Sequence, residues 1–144
     1  MDHLWNAAAF ARDAADAASR AIQATLKGDT ECPPTSARLE TEDAARASYA
    51  CAEAAVFAYS KYANTAPTTT ETEGDRLAVS RAVLTALAAA HTALEFHDAL
   101  YRRPEGRRPR AWRAYARYAL EEGVEPAVKA AEQAVEALLR YPKG

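Results

Sequence analysis

Residues 3–27 read HLWNAAAFARDAADAASRAIQATLK, and the spacing of their apolar positions decides the fold class. Leu4, Ala8, Ala11, Ala15, Ala18, Ile22 and Leu26 recur at intervals of four and three. On a 3.6-residue turn that spacing gathers them into one stripe. Arg12, Asp13, Asp16, Arg20 and Lys27 fall mostly on the other side. Arg12–Asp16 and Asp16–Arg20 are i,i+4 pairs of opposite charge, each adding about 0.2–0.5 kcal/mol to a helix. Asp2 is placed to cap the start and Gly28 to end it. Between Leu4 and Ile22 the stripe is alanine throughout, so a neighbouring helix can approach closely while larger side chains pack at the two ends.

The rest of the chain repeats this logic. Alanine fills 38 of 144 positions and glycine only five, and alanine has the highest intrinsic helix propensity. Residues 28–40, with Pro33-Pro34, read as a loop. A second helix is expected from Thr41, an N-cap followed by Glu42 and Asp43, to about Thr65, before Pro67. Its stripe is Ala44, Ala47, Cys51, Ala55 and Ala58, widening into Tyr59 and Tyr62, with Val56 and Phe57 at its flanks. The polar segment PTTTETEGD, residues 67–75, reads as a further loop. A third helix follows from Asp75 to Arg102 and stops at Pro104; its stripe is Leu77, Ser80, Leu84, Leu87, His91, Leu94, Asp98 and Tyr101. The last helical stretch, Arg110–Tyr141, carries Ala127, Ala131, Ala134 and Leu138 as its seam. Gly123 and Pro126 interrupt it: glycine ends helices in the left-handed conformation, and proline has no N–H for the carbonyl four residues back. The expectation is an all-α fold, an antiparallel bundle of four long helices, the fourth kinked or split near Gly123–Pro126, as a single domain over residues 1–144. There is no strand signal and no repeat of fixed period.

A chain of 144 residues is long enough to bury a core without metal or disulfide help. Cys32 and Cys51 form neither a disulfide framework nor a zinc-ligand spacing, and Cys51 reads as a small buried thiol. Asp2 and Arg12 interrupt any secretory signal pattern, and the longest uncharged helical run, Ala82–Leu94, is short for a bilayer. A cytoplasmic location with no membrane partner is the expectation.

Charge is where the sequence departs from an ordinary helical bundle. Seven of fourteen arginines fall in residues 102–117, RRPEGRRPRAWRAYAR, which carry +6 (seven Arg against Glu105). Residues 1–101 carry −6 and residues 118–144 carry −2, so the net charge of −2 conceals a dipolar molecule. Arg110, Arg113 and Arg117 recur on one helical face, preceded by Arg102, Arg103, Arg107 and Arg108 in the Pro/Gly-rich turn. Guanidinium groups bind carboxylate and phosphate bidentately, and Trp112 and Tyr115 are placed to stack on bases. A second reading makes Trp112, Ala116 and Ala119 an inward stripe, with the arginines solvated or paired with the bundle's own acids.

His91 lies on the leucine stripe of the third helix with Glu95 one turn on and Asp98 beyond it. One histidine and two carboxylates on a face can begin a metal or proton-transfer site, but di-iron bundles need Glu-x-x-His pairs on two helices, which this chain lacks. His91 is therefore expected to be buried, hydrogen-bonded to Glu95 and free of metal. Phe57, Tyr59, Tyr62 and Tyr101 read as core at one bundle end rather than as a ligand pocket. There is no Gly-rich phosphate loop, no Ser/Cys–His–Asp arrangement and no cofactor motif, so neither cofactor nor enzymatic activity is expected. The sequence points to a non-enzymatic interaction protein of the inhibitor, immunity or complex-subunit type. Its arginine turn and helix start would bind an acidic protein surface. Two alternatives stand beside it: a nucleic-acid-binding subunit of a nucleoprotein complex, and a helical-bundle enzyme or metal-binding protein centred on His91 and Glu95. The alanine-rich faces offer a route to homo-oligomers.

Overall fold

The alanine stripe of residues 3–27 forms α1 (Asp2–Lys27), the first of five helical elements in the computed structural model, which describes residues 2–27, 35–64, 73–101 and 112–141. The others are α2 (Thr35–Ala63), α3 (Glu73–Tyr101), α4 (Trp112–Tyr118) and α5 (Glu125–Leu138), with a π-helical segment, Ala119–Val124, joining the last two. Counting α4, the π segment and α5 as one interrupted unit, four long helices form an all-α antiparallel bundle. Helices α1 and α3 run the same way and pack against each other, while α2 and α5 each pack against both of them from opposite flanks.

The core divides between the bundle's two ends. Leu4, Ala55, Tyr62, Val79, Ala86, Ala134 and Leu138 gather at one, and Ile22, Ala45, Ala93, Phe96, Ala116, Val124 and Ala127 at the other. Large side chains close both ends, as the α1 stripe foretells, and the middle is alanine. A polar link crosses this region: the buried Ser48 hydroxyl on α2 donates to the Ala14 carbonyl on α1 at 2.7 Å.

Several expectations about the helices need correction. Helix α2 begins at Thr35 rather than Thr41, directly after Pro33-Pro34. Thr41 is not a cap but a fully buried residue inside the helix. Along α2 the buried face is Thr41, Ala45, Ser48, Ala52, Ala55, Ala58 and Tyr62, about one position round from the expected stripe; Ala47 is exposed and Cys51 half-buried. Of the aromatics expected in the core, Tyr62 is buried, Tyr59 half-buried and Phe57 62% exposed under the Lys61 ammonium, whereas the side chain of Tyr101 lies outside the described residues. The polar segment 67–75 is described only from Glu73, where α3 has already begun.

The largest correction concerns α3. Its buried face is Asp75, Val79, Ala82, Val83, Ala86, Ala89, Ala90, Ala93, Phe96 and His97. The leucine stripe flanks that face rather than forming it: Leu77 is 59% and Leu84 64% exposed, His91 is exposed, and Leu87 and Leu94 are half-buried against the core. Three helices crowd α3, and small side chains admit close neighbours where leucines would force them apart. By length and composition α3 is, among the described residues, the one helix apolar enough to cross a membrane, although it is also a core helix of the bundle.

The fourth unit is interrupted where Gly123 and Pro126 place the break, by a different device from the one expected. Gly123 keeps a right-handed helical backbone. The chain widens instead into the π segment, at whose end the Glu125 N–H donates to the Leu120 carbonyl, five residues back. The wider turn leaves the Pro126 ring room beside the Glu122 carbonyl, which it would strike in a regular helix. Gly123 is needed for close approach. A Cβ there would lie 3.1 Å from Thr92 Cγ2 and 3.2 Å from its Oγ1, and the Thr92 hydroxyl is held by the Ala88 carbonyl at 2.9 Å. Gly123→Ala should therefore lower stability by about 1 kcal/mol in urea denaturation, overpacking outweighing the helix-propensity gain. In a Thr92→Ala background the same change should stabilise by about 0.5–1 kcal/mol. The same sign in both backgrounds would mean that Thr92 is not the constraint.

Candidate functional site

Of the basic window, Arg102, Arg103, Arg107, Arg108 and Arg110 lie outside the described residues, as does the side chain of Trp112, which opens α4. Arg113, Tyr115 and Arg117 are described, and all three are exposed. Ala116 and Ala119 turn inward against Ile22, Phe96 and Val124 and seat α4 on the bundle end. The Tyr115 ring stacks on Phe96 with centroids 5.4 Å apart and an interplanar angle of 27°. Phe96 is fully buried on α3, so this contact ties α4 to the rigid part of the fold.

The outward face of α4 has two edges. Arg113 and Arg117, one turn apart, form one; Tyr115 and Tyr118, three residues apart, form the other. Tyr118 is 65% exposed and was not foreseen as part of the site. Its signal in the sequence is faint, because a tyrosine beside a buried alanine reads as core. Two guanidinium groups at i,i+4 concentrate positive charge along that edge.

His91 and Glu95, the residues of the alternative centre, both lie at the surface. His91 is not buried as expected: it is solvent-facing, its ring meeting Tyr49 edge-on with centroids 5.3 Å apart. Glu95 is also exposed. The expectation failed because His91 travels with the leucine stripe, which the bundle turns outward. His97 is the buried histidine, 7% exposed, with Nδ1 3.4 Å from Asp98 Oδ1. Among the described residues no three His, Cys, Asp or Glu side chains gather as metal ligands would.

Two other features carry polar chemistry. Asp75, buried in the first turn of α3, accepts hydrogen bonds from Arg140 and Tyr141 and so pins the end of the last helix to the start of the third. More than sixty residues separate these partners, and no local pattern announces them. A groove of about 350 Å³ between α1 and the π segment is floored by Leu120, Val124 and Val128 and rimmed by Ser19, Gln23, Glu125, Lys129 and Glu132. On its rim Lys129 sits one turn from each of Glu125 and Glu132 and offsets one of their two charges within the helix.

Comparison with protein-family models, with curated proteins and with solved structures finds no match to this chain. Its chemistry is thus read from its own residues. Burial pushes the Cys51 thiol above the ordinary thiol range, the Asp13 carboxylate adds to the shift, and the Arg20 guanidinium partly offsets it. The thiolate is the reactive form. In a Cys32→Ser variant, iodoacetamide should therefore alkylate Cys51 more slowly at neutral pH than free cysteine, with the rate still rising beyond the pH at which free cysteine levels off. Fast alkylation at neutral pH would contradict the burial of Cys51.

Proposed function

We propose that this protein is a non-enzymatic interaction protein, of the inhibitor, immunity or complex-subunit type, that binds an acidic protein surface through residues 102–117. The observation that carries this reading is the face of α4. Arg113 and Arg117 stand exposed beside Tyr118, on a helix fixed to the core through the Tyr115–Phe96 stack, within a window of +6. Arginine beside tyrosine is the composition enriched at protein interfaces, and a helix held by its buried side presents them with little ordering left to do on binding. An acidic protein is favoured over nucleic acid because Phe96 already stacks on one face of the Tyr115 ring. A chain of net charge −2 also lacks the general attraction to phosphate backbones that basic binders use.

Reversal of Arg110, Arg113 and Arg117 to Glu tests the reading. Surface charges contribute about 0–1 kcal/mol per pair, so the triple variant should keep its circular dichroism spectrum and nearly its unfolding midpoint. Used as bait in lysate of the native host, the wild type should retain a protein with an acidic surface. The Glu variant should lose it, and the triple Lys variant should keep most of it. Recovery of nucleic acid instead, with affinity falling steeply as salt rises, would replace this reading with the nucleic-acid one. Unfolding of the Glu variant, or undiminished capture by it, would make the arginines structural.

A further inference from the structure

The leucine stripe of α3 is a helix-packing seam that the bundle uses only in part: Leu87 and Leu94 rest half-buried against the core, while Leu77 and Leu84 stay in solvent. Leu77, Ser80, Leu84, Leu87, His91 and Leu94 recur at intervals of three and four, the repeat by which two helices pair along their length. Inside the chain the neighbours of α3 take its alanine and valine face, leaving Leu77 59% and Leu84 64% exposed. The apolar surface continues onto α2. The Tyr49–His91 contact sets the register of these antiparallel helices. One heptad further along each, the same positions are Val56, 37% exposed, and Leu84.

We propose that this seam is the interface of a two-fold symmetric dimer, in which the α3 helices of two copies of the chain lie antiparallel. The spacing of the stripe and the places of its leucines are the same in both directions. Laid against its own reverse, Leu84 meets Leu87 of the second copy, Ser80 meets His91, and Leu77 meets Leu94. The charges choose the direction. Arg76 and Arg81 lie toward the start of α3, Glu95 and Asp98 toward its end, and Arg81 and Glu95 are both exposed. Antiparallel pairing brings Arg81 of each copy to the Glu95 end of the other, and because helical side chains lean toward their own N-terminus these two lean toward each other. Parallel pairing would lay the basic start of one helix beside the basic start of the other and the acidic ends together, which is unfavourable. The alanine faces, first suggested for self-association, are occupied within the bundle. This interface is independent of the arginine face on α4, and either can fail without the other.

Sedimentation equilibrium over a range of concentrations tests the proposal. The wild type should fit a monomer–dimer equilibrium. Leu84→Glu should be monomeric with an unchanged circular dichroism spectrum, since that position is largely exposed. Arg81→Glu and Glu95→Arg, each placing like charges together, should raise the dimer dissociation constant about tenfold, and the double swap should restore it. The charge variants decide the matter if Leu84→Glu fails to fold. A wild type that stays monomeric at every concentration would overturn the proposal. So would a monomer that sediments with phosphatidylcholine–phosphatidylglycerol vesicles, a dimer that survives Leu84→Glu, or charge swaps without effect.

Discussion

The close approach of α1 and α3 is the constraint on which the rest of the structure depends. Ala7, Ala11, Ala14 and Ala18 on one helix and Ala82, Ala86, Ala89 and Ala93 on the other are fully buried. These two helices run in the same direction across the bundle, and in a square four-helix arrangement they would be kept apart. They nevertheless pack against each other, α2 and α5 each packing against both, and the residues buried along the middle of both helices are mostly alanines, which admit such an approach. A single buried methyl is worth little, about 0.8 kcal/mol. Stability of this kind rests on the number of close contacts, including those of the backbone itself. Gly123 against Thr92 extends the rule to the π segment, where even a methyl is too large.

Such a core assigns roles to the larger residues. Phe96, Ile22 and Val124 fill one end and Leu4, Leu138 and Tyr62 the other, where the alanine seam stops and space opens. Asp75 closes the second end through Arg140 and Tyr141. Phe96 closes the first and, by stacking on Tyr115, holds the arginine-bearing α4. Of the α3 leucines, Leu77 and Leu84 are turned to the surface and Leu87 and Leu94 lie half-buried at the margin of the core. Core and surface chemistry are therefore linked: a helix that must be thin on its inner face carries its apolar surplus on the outer one.

How much of this was legible in the sequence follows from the same physics. The α1 stripe was read correctly because leucine and isoleucine mark its two ends and charges mark its back. In α2, alanine appears on several faces, so hydrophobicity alone does not fix the rotation of the helix, and the stripe was placed one position away. Pro33-Pro34 suggests a loop through residue 40, yet α2 starts six residues earlier than Thr41, because proline just before a helix is compatible with its first turn. In α3, ranking leucine above alanine chose the wrong face and carried His91 into the core with it. The break near Gly123 is legible, but its π-helical form and the close approach of Gly123 to Thr92 emerge only in the fold. At the candidate site the exposure of Arg113 and Arg117 agrees with their spacing, while Tyr118 and the Phe96 support of Tyr115 emerge only in three dimensions.

The central claim is that alanine, not leucine, makes the core contact of α3, and one pair of substitutions separates the two. Ala86 is fully buried and Leu84, two residues away, is 64% exposed. Urea denaturation of Ala86→Leu and Leu84→Ala, at concentrations dilute enough to keep the chain monomeric, compares them directly. Ala86→Leu should destabilise by about 1–3 kcal/mol, because the added methylenes must force helices apart. Leu84→Ala should move the free energy of unfolding by no more than about 0.5 kcal/mol. The reverse order, with Ala86→Leu tolerated and Leu84→Ala costly, would contradict the account.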